Sequence, residues 1–102
     1  MLKCKISFDT DKIINEGEYS LDVIQKTTDN LFAKLDLKKG ENGFYYGLGA
    51  NEDFTNFMTA IWRLTSQDWF MRYIKEFLWY NPDNIVCPEN VIKTMKETVV
   101  HA

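Results

Sequence analysis

Apolar and polar residues alternate one by one through the first nine positions, with Leu2, Cys4, Ile6 and Phe8 on one side and Lys3, Lys5, Ser7 and Asp9 on the other. A period of two belongs to an extended chain, so a β-strand is predicted here, covered on its apolar face and wet on its polar one. Asp9, Thr10 and Asp11 then precede Ile13, Ile14 and Gly17, the pattern of a single capped helical turn closed by glycine. The period lengthens after Ser20, an N-cap type with Asp22 in the first turn. Ile24, Thr27, Leu31, Phe32 and Leu35 recur at helical spacing there, opposite Gln25, Lys26, Asp29 and Asp36. Lys38 and Lys39 followed by Gly40 are expected to end that helix.

Asn42-Gly43 signals a turn, and Phe44 to Leu48 reads as a second strand with Phe44, Tyr46 and Leu48 on one face. Asn51 is the expected N-cap of the next helix, with Glu52 and Asp53 in its first turn and Phe54, Phe57, Met58, Ile61 and Trp62 as its buried stripe. Ser66 would cap a further helix whose stripe is Trp69, Phe70, Tyr73, Ile74, Phe77 and Leu78, facing Arg72, Lys75 and Glu76. Trp79 falls on the polar side of that helix and Phe77 to Tyr80 favour extended structure, so residues 74–80 read either as the helix end or as a short strand. Asn81-Pro82-Asp83-Asn84 is a turn. Ile85-Val86-Cys87 is short and apolar, and Pro88 opens a last helix from Glu89 to about Val99, burying Val91, Ile92, Met95 and Val99.

Strands and helices in this order predict an α+β fold, β-α-β-α-α with a possible third strand and a C-terminal helix. A small sheet would carry its helices on one face, in a single domain spanning residues 1–102. The segment from Phe54 to Tyr80 holds all three tryptophans and is expected to supply most of the core. Trp79, Tyr80, Tyr45 and Tyr19 fall outside the buried stripes. Tyrosine and tryptophan near a surface, with arginine beside them, are the residue types that anchor interfaces. Trp79, Tyr80, Tyr45 and Arg72 are therefore the candidate contact with another protein or with a second copy of the chain. Packing of Trp79 within the fold is the plainer alternative.

Composition narrows the function classes. With 45% hydrophobic and 26% charged residues the 102-residue chain is an ordinary globular protein. A net charge of −3, spread along the length, gives little attraction for phosphate backbones, so nucleic acid is not the default partner. The alternative is a weak single-stranded nucleic-acid binder using Lys3 and Lys5 on the open strand face with Tyr45 as a stacking ring. Neither an apolar leader nor a membrane-length apolar run is visible, and a cytoplasmic protein with Cys4 and Cys87 reduced is expected.

Candidate chemistry is sparse. Asp9 and Asp11 begin like a calcium loop, but Ile13 occupies the next ligand position. Gly47-Leu48-Gly49-Ala50-Asn51-Glu52 sits between a strand and a helix as a dinucleotide turn would, yet Glu52 and Asp53 would repel a pyrophosphate. His101, the one histidine, is the penultimate residue, which disfavours Ser-His-Asp, Cys-His and zinc arrangements. No catalytic residue, metal or cofactor is assigned. A small enzyme working through paired carboxylates is the third reading, and it requires a pocket where two acids converge.

Trp69-Phe70 and Phe77-Leu78-Trp79-Tyr80-Asn81, together with the Lys-Cys-Lys-Ile-Ser-Phe-Asp strand, make the chain similar to small bacterial proteins whose family carries no assigned activity. The resemblance implies a shared α+β fold and no residue role. The expected function is a non-catalytic protein-interaction or regulatory module that binds through an aromatic surface patch.

Overall fold

In a computed structural model, which describes residues 2–80 and 89–92, the alternating N-terminal stretch becomes strand β1 (Lys3–Phe8) at the middle of the sheet. The chain continues through helices α1 (Thr10–Glu16) and α2 (Leu21–Lys34), strands β2 (Lys38–Lys39) and β3 (Phe44–Tyr46), helices α3 (Asp53–Thr65) and α4 (Asp68–Tyr73), and strands β4 (Ile74–Tyr80) and β5 (Glu89–Asn90). The strands lie in the order β2-β3-β1-β4-β5, and every neighbouring pair is antiparallel. This is the expected α+β class with a small sheet.

Register carries the alternation of β1 into both its neighbours. Cys4 stands opposite Tyr45 on one side and Trp79 on the other, and Ile6 stands opposite Phe77. Directly opposed residues share a face, so Cys4, Ile6, Tyr45, Phe77 and Trp79 all point into one buried cluster with Phe32, Phe57, Ala60, Leu64 and Phe70 from the helices. Lys3, Lys5, Phe44, Tyr46, Leu78 and Tyr80 take the opposite parity and are half-buried on the other face. The expected second-strand face of Phe44, Tyr46 and Leu48 is thus reversed: Tyr45 is the core residue, and Leu48 lies beyond the strand, exposed.

Helices α1 and α2 start where the capping residues predict, whereas α3 starts at Asp53 after Glu52, one residue past the expected Asn51 cap. The Asp9 carboxylate accepts the Lys12 amide at 3.1 Å, and Gly17 closes α1 in the left-handed conformation, so the expected single turn runs to seven residues. α2 starts after Ser20 but ends at Lys34, before the expected Gly40. Asp36 adopts φ 57°, and the Leu37 amide reaches back to the Phe32 carbonyl at 2.9 Å while the Asp36 amide reaches that of Ala33, a Schellman closure without glycine. It stops the helix because Leu37 can then enter the core. Lys38 and Lys39 pair with Tyr46 and Tyr45, and the Asn42-Gly43 turn joins this unexpected strand to β3. Gly40 serves packing, since a Cβ there would strike the Tyr46 ring.

The aromatic segment differs from expectation in two ways. α3 buries Asp53, Phe57, Ala60 and Leu64, a stripe rotated from the predicted one, which leaves Phe54 and Trp62 exposed. Ser66 closes α3, its hydroxyl donating to the Trp62 carbonyl at 2.7 Å, and does not cap α4. Of the two readings open for residues 74–80, the strand is the one observed, over the whole stretch. Glu89 and Asn90 pair with Trp79 and Leu78, so helical backbone begins at Val91 and not at Glu89. The Asn81–Asn84 turn, Ile85 to Cys87, Pro88, Met95, Val99 and His101 lie outside the described residues.

Candidate functional site

The four residues expected to form an aromatic contact are not brought together. Trp79 is 3% exposed and Tyr45 1%, both on the helix-covered side of the sheet. Trp79 packs against Phe57 with ring centroids 5.0 Å apart, and the Tyr45 ring stacks on Phe32 at 4.0 Å. Tyr80, next to Trp79 in an extended strand, points to the opposite face. Arg72 lies on α4 and is held by Glu18 at 2.6 Å and Glu16 at 3.0 Å, with its guanidinium 5.2 Å from the Tyr73 ring.

Tyr45 has a structural task at its polar end. Its hydroxyl donates to the Asp29 carboxylate at 2.5 Å, Gln25 donates to the same oxygen at 2.9 Å, and Lys39 reaches the other oxygen at 2.8 Å. Burial by itself would raise the Asp29 pKa, but the hydrogen bonds from Lys39, Tyr45 and Gln25 outweigh it and hold the carboxyl below its usual value. Burial, reinforced by Asp29, pushes the Tyr45 phenol up. The network ties α2 to the β2–β3 hairpin, and the pKa values of Asp29 and Tyr45 are driven away from neutrality, the reverse of what acid–base catalysis at pH 7 requires.

The glycine turn after β3 does cradle an anion, and that anion is the protein's own. The Asp53 carboxylate accepts amide hydrogens from Leu48 at 3.1 Å, Gly49 at 2.8 Å and Ala50 at 3.2 Å. Gly47 lets the backbone wrap this closely, because a Cβ there would run into the carboxylate. A phosphate would find these donors already taken. Among the described residues no three His, Cys, Asp or Glu side chains converge as metal ligands.

What α3 leaves outside its buried stripe lines a concavity against α2. Thr27, Asn30, Leu31 and Lys34 of α2 and Trp62, Arg63 and Leu64 of α3 line a cleft of about 610 Å³ together with Ser66, Gln67 and Trp69. Trp62 is 69% exposed at this cleft. A smaller hollow lined by Tyr19, Val23 and Ile24 shares Thr27 and Trp69 with it, so an apolar track follows α2. Lys34 and Arg63 are the charged residues among those lining the cleft, and no acid lines either hollow. The paired carboxylates that an enzyme reading requires are not found there.

Trp62 escaped the sequence pattern because Phe54, Phe57, Met58, Ile61 and Trp62 fit a helical stripe well. The competing stripe Asp53, Phe57, Ala60 and Leu64 has the same spacing but includes a carboxylate and an alanine, which hydrophobicity undervalues. The signal available was the overlap of the two stripes at Phe57. No family model, curated protein or solved structure matches the chain.

Proposed function

We propose that the protein is a non-catalytic interaction or regulatory module whose aromatic contact is the Trp62–Trp69 cleft. Its partner is a segment of another protein that inserts an apolar or aromatic side chain flanked by acidic residues. The observation that carries this reading is Trp62, a large ring left mostly in water at a cleft it lines with Leu31, Leu64 and Trp69 and whose lining charges are both positive. Tryptophan and arginine are the side chains that most often dominate binding energy, and a concave apolar site rewards an inserted anchor. Lys34 and Arg63 favour carboxylates at the rim although the whole chain carries −3. No helix among the described residues is long and apolar enough to cross a membrane, and a cytoplasmic setting suits the buried Cys4 thiol.

Selection of linear peptides from a random display library tests this directly. The expected outcome is a consensus of one large apolar residue beside Asp or Glu, bound by the wild type. Trp62→Ala should lose about tenfold or more of the affinity, and Arg63→Glu should lose the acidic preference. Binding should also shift the emission of Trp62. A consensus without acids, equal binding by Trp62→Ala, or concentration-dependent self-association that buries Trp62 would each overturn the proposal.

A further inference from the structure

We infer that the face of the sheet opposite the helices is a second, independent site, and that it takes single-stranded nucleic acid. Phe44 and Tyr46 of β3 and Tyr80 of β4 form a row of three rings. Phe44 and Tyr46 are nearly parallel with centroids 6.0 Å apart, and Phe44 and Tyr80 lie 5.9 Å apart. Lys3 stands between its opposed partners Tyr46 and Tyr80, and its ammonium lies 4.9 Å from the Tyr80 centroid and 5.2 Å from that of Phe44. Lys5 lies 5.8 Å from Phe44, and Lys38 is opposed to Tyr46 at the end of the row.

The face therefore combines what a single strand offers to recognise: flat bases for the rings and phosphates for the ammonium groups. Against the three lysines, β1, β3 and β4 contribute one carboxylate on this side, Glu76, which lies 3.3 Å from Lys5. The local balance is positive in a chain whose total is −3. Lys3 now rests its charge on aromatic quadrupoles, a weaker partner than a phosphate, so a bound strand can draw it off the rings while bases stack in its place. A duplex hides its base faces within its own stack and gains only the ionic part.

This assignment corrects the sequence reading at one residue. Lys3 and Lys5 do lie on the face that the described helices leave uncovered, but Tyr45 points the other way, and the rings that accompany them are Phe44, Tyr46 and Tyr80. None of these lines the Trp62 cleft, so the inference stands or falls without it.

The test is fluorescence anisotropy of labelled eight-nucleotide oligo(dT) and oligo(U) with the full chain, together with a duplex of the same length and backbone amide shifts. Weak binding is expected at 20 mM salt, favouring single strands over duplex. Affinity should fall with salt at a log–log slope of about −1.4 to −2 for two to three neutralised phosphates. Shifts should centre on β1, β3 and β4. Tyr80→Ala should weaken binding by roughly five- to a hundredfold. Lys3→Glu, which removes no ring, keeps the question open to refutation should Tyr80→Ala fail to fold, and it should cost about fivefold or more at low salt. No binding at 20 mM salt, equal affinity for duplex, insensitivity to Lys3→Glu, or shifts confined to the α2–α3 cleft would each overturn the inference.

Discussion

Replacing Trp79 by alanine separates a ring that holds the fold together from one held out for a partner. Trp79 is 3% exposed, opposes Cys4 across the β1–β4 ladder, and packs at 5.0 Å on Phe57 and 6.4 Å on Phe54. Truncating a buried tryptophan costs about 3–5 kcal/mol, because the lost transfer energy adds to that of a cavity its neighbours only partly fill. Domains of this size have only about 5–15 kcal/mol of total stability. The substitution should therefore remove about a fifth or more of it, and lower the thermal midpoint by roughly 12–25 °C at about 4–5 °C per kcal/mol. Trp62→Ala is the matched control, since an exposed ring should change stability by no more than about 0.5 kcal/mol. Urea unfolding followed by far-ultraviolet circular dichroism reports both variants without relying on tryptophan emission. A Trp79→Ala midpoint within 1 kcal/mol of wild type, or a larger loss for Trp62→Ala, would refute the assignment of core and surface.

Other expectations follow from the polar groups. The Asp29 carboxyl has its folded-state pKa lowered, so its contribution is present above the unfolded value of 3.8 and is lost as pH falls through the folded value. Asp29→Asn should cost about 1–2 kcal/mol at neutral pH and flatten the acid limb of the stability profile; an unchanged acid limb would count against the network. Tyr45, raised from 10.0, acts at the other end: its contribution is present below pH 10 and declines as the pH climbs toward the folded value, a slope that Tyr45→Phe should remove. Asp53→Ala strips the acceptor from the Leu48, Gly49 and Ala50 amides, for a loss of about 1–2 kcal/mol that hydrogen exchange should localise to those three residues. Burial pushes the Cys4 thiol up, so in a Cys87→Ser background thiol labelling should proceed only at the rate of unfolding; fast labelling of the native protein would contradict it.

The candidate site was only partly legible in the residues. Lys3 and Lys5 on an open face follow from the alternation of β1 alone. The rings beside them do not: Phe44, Tyr45 and Tyr46 are three consecutive aromatics, and a period of two cannot say which parity faces inward when both are apolar. Pairing of Cys4 with Tyr45 settles it. The same holds at Trp79, whose neighbours on either side are also apolar. Its place on the Cys4 face is a property of the ladder.

Local chemistry was enough for the β1 alternation, the Asp9 cap and Gly17 stop of α1, the start of α2, and the Asn42-Gly43 turn, because each depends on residues within one or two turns of chain. Tertiary contact decided the rest. α2 ends early because Leu37 gains a place in the core that only the assembled sheet provides, and Asp36 takes the left-handed conformation that this requires. Residues 74–80 become a strand because β1 offers its free edge to them, and hydrogen bonds from a partner strand outweigh a helical pattern of similar local merit. Which tryptophan faces water was settled by how α3 turns against its neighbours, a rotation that buries Phe57, Ala60 and Leu64 and leaves Trp62 out.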